Sequence, residues 1–342
     1  MAADIEGFFR AAPKAELHLH IEGTLEPELM LALAEKHSVE LPYPDLAAVH
    51  AAYDFEDLQS FLDLYFLGAS VLRDAEDFHA LASAYLDRAR AQNVVHLEMM
   101  FDPQTHTDRG VAFATVMDGF TAAIDEAAAK GGPSVELIMS FLRHLDEDAA
   151  LATLDAAAPF ADRIAMIGLD SSEVGHPPEK FARAYARAAD EGFALTAHAG
   201  EEGPPAYITG ALDALGVQRI DHGVRCLEDA ELVARLARER IPLTVCPQSN
   251  VRLCVVEDMA AHPILTMLDA GLSVSVNSDD PAYFGGHLVD NYVGIARSLS
   301  PTPAQALALV RGGFEGSLLD DAARSERLAQ VDACAKDYGL LP

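Results

Sequence analysis

The chain has no tryptophan among its 342 residues and only four cysteines, Cys226, Cys246, Cys254 and Cys334. None forms a C-x-x-C pair, which argues against a disulfide framework and against a cysteine-held zinc site. Basic residues are scarce: 24 Lys and Arg face 54 Asp and Glu, a formal net charge of −30. A surface of that sign repels phosphate backbones and anionic lipid. Nucleic acid and membranes are therefore poor partners, and a neutral or cationic small molecule is an easier one. Long apolar runs are missing as well, since no segment approaches ~20 uninterrupted apolar residues. The first fourteen residues carry Asp4 and Glu6 and no apolar stretch, unlike a signal peptide. A cytoplasmic location is expected.

Half the residues are hydrophobic, enough for a large core. What recurs along the chain is a strand-like run, a polar loop and an amphipathic helix. Eight such runs begin near Ala15, Val94, Val135, Ile164, Ala194, Arg219, Pro242 and Leu272. Eight strands alternating with helices predict an α/β fold, a (β/α)₈ barrel spanning residues 1–342 as one domain. An open doubly wound sheet is the competing architecture, but its G-x-G-x-x-G turn after the first strand is absent. Residues 38–92 read as a helical insertion after the first strand, with helices over 55–73 and 77–92. Extra helices follow from about Val289. Leu58, Phe61, Leu62 and Tyr65 make one apolar stripe, from which Phe61 and Tyr65, with Met99 and Phe101, are candidates to flank a flat ligand.

Polar groups end strand after strand. In Ala15-Glu16-Leu17-His18-Leu19-His20, alternation puts His18 and His20 on one face. The fifth run, Ala194-Leu195-Thr196-Ala197-His198, ends in Ala199-Gly200-Glu201-Glu202. His222 closes the sixth run, and Asp279 and Asp280 follow the eighth. The mouth at the C-terminal strand ends is where such barrels build sites. His18, His20, His198 and Asp279 offer three nitrogens and one oxygen, a set suited to Zn²⁺ and also to Fe²⁺ or Mn²⁺. Two-metal barrels often carry a bridging Lys on the fourth strand; Ile164 to Leu169 has none, so one metal is expected. A metal there lowers the pKa of bound water to about 7. His222 is placed to orient or deprotonate that water, and Glu201 to deliver a proton.

These motifs resemble the adenosine/adenine deaminase family of the amidohydrolase barrels. The resemblance covers nearly the whole chain. It rests on His18-Leu19-His20-Ile21-Glu22-Gly23, His198-Ala199-Gly200-Glu201, Asp221-His222-Gly223, Cys246-Pro247-Gln248-Ser249-Asn250 and Asn277-Ser278-Asp279-Asp280-Pro281. It implies zinc on His18, His20, His198 and Asp279, Glu201 as the acid that protonates N1 of a purine, His222 on the water and Asp280 on N7. Catalysis would then rest on Glu201, His222 and Asp279. The segment Gly168-Leu169-Asp170-Ser171-Ser172-Glu173 is similar to the adenine-deaminase branch. Gly168 and Glu173 are expected at the base, with Glu173 accepting an N–H that a riboside lacks. Adenine going to hypoxanthine is the implied reaction. Adenosine, an N6-substituted adenine and a catalytically silent purine-binding protein are the alternatives. A homo-oligomer is compatible with the sequence.

Overall fold

The computed structural model describes residues 3–342. Eight parallel strands follow in chain order: β1 (Lys14–His20), β2 (Val94–Phe101), β3 (Ser134–Leu142), β4 (Ile164–Asp170), β5 (Ala194–Ala199), β6 (Arg219–His222), β7 (Pro242–Val245) and β8 (Ser273–Val276). Each pairs with the next in the order β1 through β8. The barrel closes where Leu19 bridges Asp279. There the His20 N–H donates to the Asp279 carbonyl at 3.0 Å, and the Asp279 N–H to the His18 carbonyl at 3.2 Å. The closing bonds thus run through three residues at the mouth. Below them the side chain of Asn277 takes the place of a ladder carbonyl, accepting the Leu17 N–H at 2.8 Å.

The expected (β/α)₈ architecture is present, and its strand boundaries lie within two residues of those read from the sequence. The core is continuous: Leu17, Leu97, Leu169, Leu195, Ile220, Leu243 and Val276 are fully or almost fully buried in one cluster. The helix Pro303–Glu315 packs against β8 and β1. It approaches so closely that a Cβ on Gly312 would stand 2.0 Å from the Val274 carbonyl, so only glycine fits.

The segment 38–92 differs in detail from the two helices expected. It holds three: Leu46–Ala52, Leu58–Ala69 and Ala75–Ala91. The first is a short Ala-rich turn capped by Asp45, whose carboxylate accepts the Ala48 N–H at 2.9 Å. Its seven residues are too few for a periodic signal. The third packs along the helix Phe113–Ala129 as an ordinary member of the outer ring. Among the described residues no helix is long and apolar enough to cross a membrane.

Candidate active site

Strand alternation and barrel closure bring four histidines and a carboxylate together at the mouth. His18, His198, His222 and Asp279 each offer a ligand atom within 4.8 Å of the others. His20 joins them, its Nε2 lying 3.1 Å from His198 Nε2 and 3.4 Å from Asp279 Oδ1. All five are buried.

Proton positions follow from the partners. Thr244 Oγ1 donates to Asp221 Oδ1 at 2.8 Å, so its oxygen must accept from His18 Nδ1, 3.0 Å away. His18 Nδ1 therefore carries the hydrogen. Its Nε2 has no hydrogen-bond partner, yet stands 3.2 Å from Asp279 Oδ1. A lone pair facing a carboxylate oxygen at that distance needs a proton or a metal cation between them. The same holds for the His20 and His198 nitrogens. The donor set therefore fits a divalent metal ion. Burial, with His18, His222 and His20 close by, pushes His198 well below the usual imidazole range, which keeps it neutral as a ligand must be. Burial alone would raise the Asp279 carboxyl, but the surrounding imidazoles outweigh it and hold that group well below the usual range.

Beside this cluster, His222 Nε2 lies 3.6 Å from Glu201 Oε2 and 3.8 Å from Asp279 Oδ2. Burial pushes His222 down to about 3, so it is a neutral base at ordinary pH. Burial, and then the charges of Asp279, Glu173 and Glu202, push the Glu201 carboxyl well up. A carboxyl in that state can donate a proton. Burial and Asp279 raise Asp280 in the same way. The chain approaches Asp280 closely: a Cβ on Gly23 would lie 1.9 Å from its Oδ1. His222, Asp279 and Ser171 hold left-handed backbone at φ of 65°, 66° and 74°. Non-glycine residues in that region cost on the order of 1–3 kcal/mol each and tend to collect at functional sites.

A narrow pocket opens above the cluster, lined by His20, Asp102, Asp170, Glu201, Asp280 and Phe284 among others. Phe61 and Tyr65 line it, as expected from the stripe. Phe61 packs on Phe284 with ring centres 4.7 Å apart, and the Tyr65 hydroxyl donates to Asp102 Oδ2 at 2.7 Å. Met99 and Phe101 do not line it; Phe101 packs against Phe113 and Phe120.

Two expectations are corrected here. Glu173 is not on the pocket wall. Its carboxylate accepts the backbone N–H groups of Gly200, Glu201, Glu202 and Gly203 at 2.7, 3.1, 2.9 and 2.7 Å. Three of these donors converge on Oε2 and one on Oε1, so the carboxylate is turned into the β5 loop and away from the pocket. Gly168 is also off the wall; its missing side chain leaves room for Ser140, whose Oγ would lie 2.6 Å from a Cβ there. The carboxylate that does face the pocket from β4 is Asp170, buried with neither oxygen hydrogen-bonded. It was missed with Asp102, although both end strands and the rule that found His198 could have found them.

Comparison with known proteins follows the same lines. Residues 13–334 match the family model described as adenosine deaminase. The adenine deaminase of Hahella chejuensis is 53% identical over 334 residues, covering 98% of this chain and 100% of that one. The crystal structure of adenine deaminase from Arthrobacter aurescens superposes with a TM-score of 0.94 at 51% identity, covering 95% of this chain and all of that one. An amidohydrolase from Burkholderia ambifaria, solved with bound zinc, gives a TM-score of 0.88 at 30% identity, covering 97% of this chain and 94% of its own.

Proposed function

The chain belongs to the adenosine deaminase family, and from that premise we propose that it hydrolyses adenine to hypoxanthine and ammonia at the barrel mouth. The observation that carries the choice of a free base is Asp170. Its buried carboxyl lies on the pocket wall, with Oδ2 3.6 Å from His20 Nδ1 and Oδ1 without a partner, and Oδ1 can accept the N9–H of adenine. A riboside has no hydrogen there, so the carboxyl would stay unpaired and crowded, which is costly when buried.

His18, His20, His198 and Asp279 would hold one zinc ion; iron or manganese suits the same donors. A bound divalent ion supplies acidity, making a nucleophile of water at neutral pH. The rest is done by the chain. Glu201, kept protonated by burial, gives its proton to N1 and so drains electron density from C6. His222, kept neutral by burial, orients the attacking water and takes a proton from it. Asp280, also held protonated, donates to N7. The proton taken by His222 passes to the exocyclic amino group, the C6–N bond breaks to release ammonia, and the hydroxyl proton left on C6 returns to Glu201. Phe61, Tyr65 and Phe284 cover the base and exclude bulk water.

A panel of adenine, adenosine and N6-methyladenine, read by ammonia release with metal analysis of the same sample, tests this. Adenine should be the best substrate, with adenosine below about 1% of its kcat/KM. Adenosine turned over as well as adenine would sink the reading.

A further inference from the structure

His198 on β5, Asp221 on β6 and Thr244 on β7 stand side by side, because His198 pairs with Asp221 and Asp221 with Thr244 in the sheet register. Asp221 and Thr244 are completely buried and neither lines the pocket. Thr244 Oγ1 donates to Asp221 Oδ1 at 2.8 Å and reaches across the barrel to His18 Nδ1 at 3.0 Å. The other carboxylate oxygen, Oδ2, accepts from Thr196 Oγ1 at 2.7 Å and lies 3.7 Å from His198 Nδ1. Underneath, Arg219 Nε stands 3.4 Å from Asp221 Oδ1, and Arg219 also pairs with Glu98. One buried carboxylate, balanced from below, thus stands behind two imidazoles whose front nitrogens point into the cluster, directly behind His198 and through Thr244 behind His18.

We propose that Asp221, acting through Thr244, is the positioning residue of the metal centre. A carboxylate can only accept, so it commits the single Thr244 hydrogen to itself. Thr244 is thereby left only an acceptor for His18. That fixes His18 as the Nδ1–H tautomer with its Nε2 lone pair aimed at the ion, and holds the ring in one orientation. A neutral partner in place of Asp221 would let the threonine hydroxyl turn over and donate to His18 Nδ1, which puts the hydrogen on the wrong nitrogen. Outer partners of ligating histidines typically change metal affinity 10–100-fold when removed.

This inference rests on the reading that His18 is a metal ligand, and the test separates the two. Zinc affinity is measured by chelator competition on wild type, Thr244→Val and Thr244→Ser, with the apo unfolding temperature of each. Thr244→Val keeps the shape and loses the hydroxyl; it should bind zinc 10–100-fold more weakly. Thr244→Ser keeps the hydroxyl and should stay within about threefold of wild type. A merely structural role would lower the apo unfolding temperature and leave zinc affinity in place. Zinc bound by Thr244→Val as tightly as by wild type overturns the proposal. Failure of wild type to bind zinc overturns the underlying site instead. Should Thr244→Val not fold, ¹⁵N-histidine NMR on zinc-loaded wild type decides: a protonated His18 Nδ1 supports the relay, and a bare one refutes it.

Discussion

The carboxylate of Glu173 accepts the backbone N–H of Glu201 at 3.1 Å, and with three further N–H groups from the same turn it pins the loop that carries the proton donor. An acid that reads from the sequence as a contact to substrate is the anchor of another acid. Charge-assisted hydrogen bonds of this kind contribute roughly 1.5–3 kcal/mol each. Replacing Glu173 with Gln leaves one accepting oxygen and turns an NH₂ toward N–H donors. Stability should fall by ~2–3 kcal/mol in urea unfolding, and kcat should fall while the preference for adenine over adenosine stays. A variant with wild-type stability and reversed preference would return Glu173 to the substrate.

Glu201→Gln should abolish turnover, by about 10²–10⁴-fold, while the metal stays bound. Gln fills the same space but has no acidic proton. The measurement is ammonia release beside metal content by atomic absorption. Activity near wild type would rule out Glu201 as the donor.

Asp170 should decide base against riboside. In Asp170→Ala, kcat/KM for adenine should drop about 10–100-fold, as for a lost hydrogen bond to a charged or buried group. The value for 9-methyladenine, which has no N9–H, should hold or rise. Because Asp170 Oδ2 also lies 3.6 Å from His20 Nδ1, metal content is followed too. An equal drop for both substrates would place Asp170 behind the metal site and take it out of base recognition.

His262 gives a pH signature away from the mouth. Its Nδ1 accepts the Ile264 N–H and its Nε2 donates to Asn250 Oδ1, both at 3.2 Å. The ring is therefore held neutral, and burial pushes it down from 6.5 to about 4. Above pH 6.5 neither state is protonated there and the full contribution is present. As the pH falls, the unfolded ring takes a proton that the folded ring refuses until about pH 4. Stability is lost across that window at up to ~1.4 kcal/mol per unit. Asn at this position can still accept the N–H two residues on but does not titrate. Denaturant midpoints of His262→Asn should therefore fall less between pH 6.5 and 4.5 than those of wild type. Parallel curves would show that His262 does not contribute.

The primary sequence alone determined the barrel, its eight strand ends and the facing of His18 and His20, because strand side chains alternate strictly and each strand's apolar run marks its own length. His198, His222, Asp279 and Asp280 were legible for the same reason: each stands at the end of a run. Beyond a strand end that periodicity stops, and the chain alone does not say where a loop side chain turns. Only the folded structure decided that Glu173 dives under the β5 loop, whereas Asp170, the last residue of β4, lay within reach of the strand-end rule. Only sheet register set His198, Asp221 and Thr244 abreast, since pairing across three strands depends on how the barrel closes.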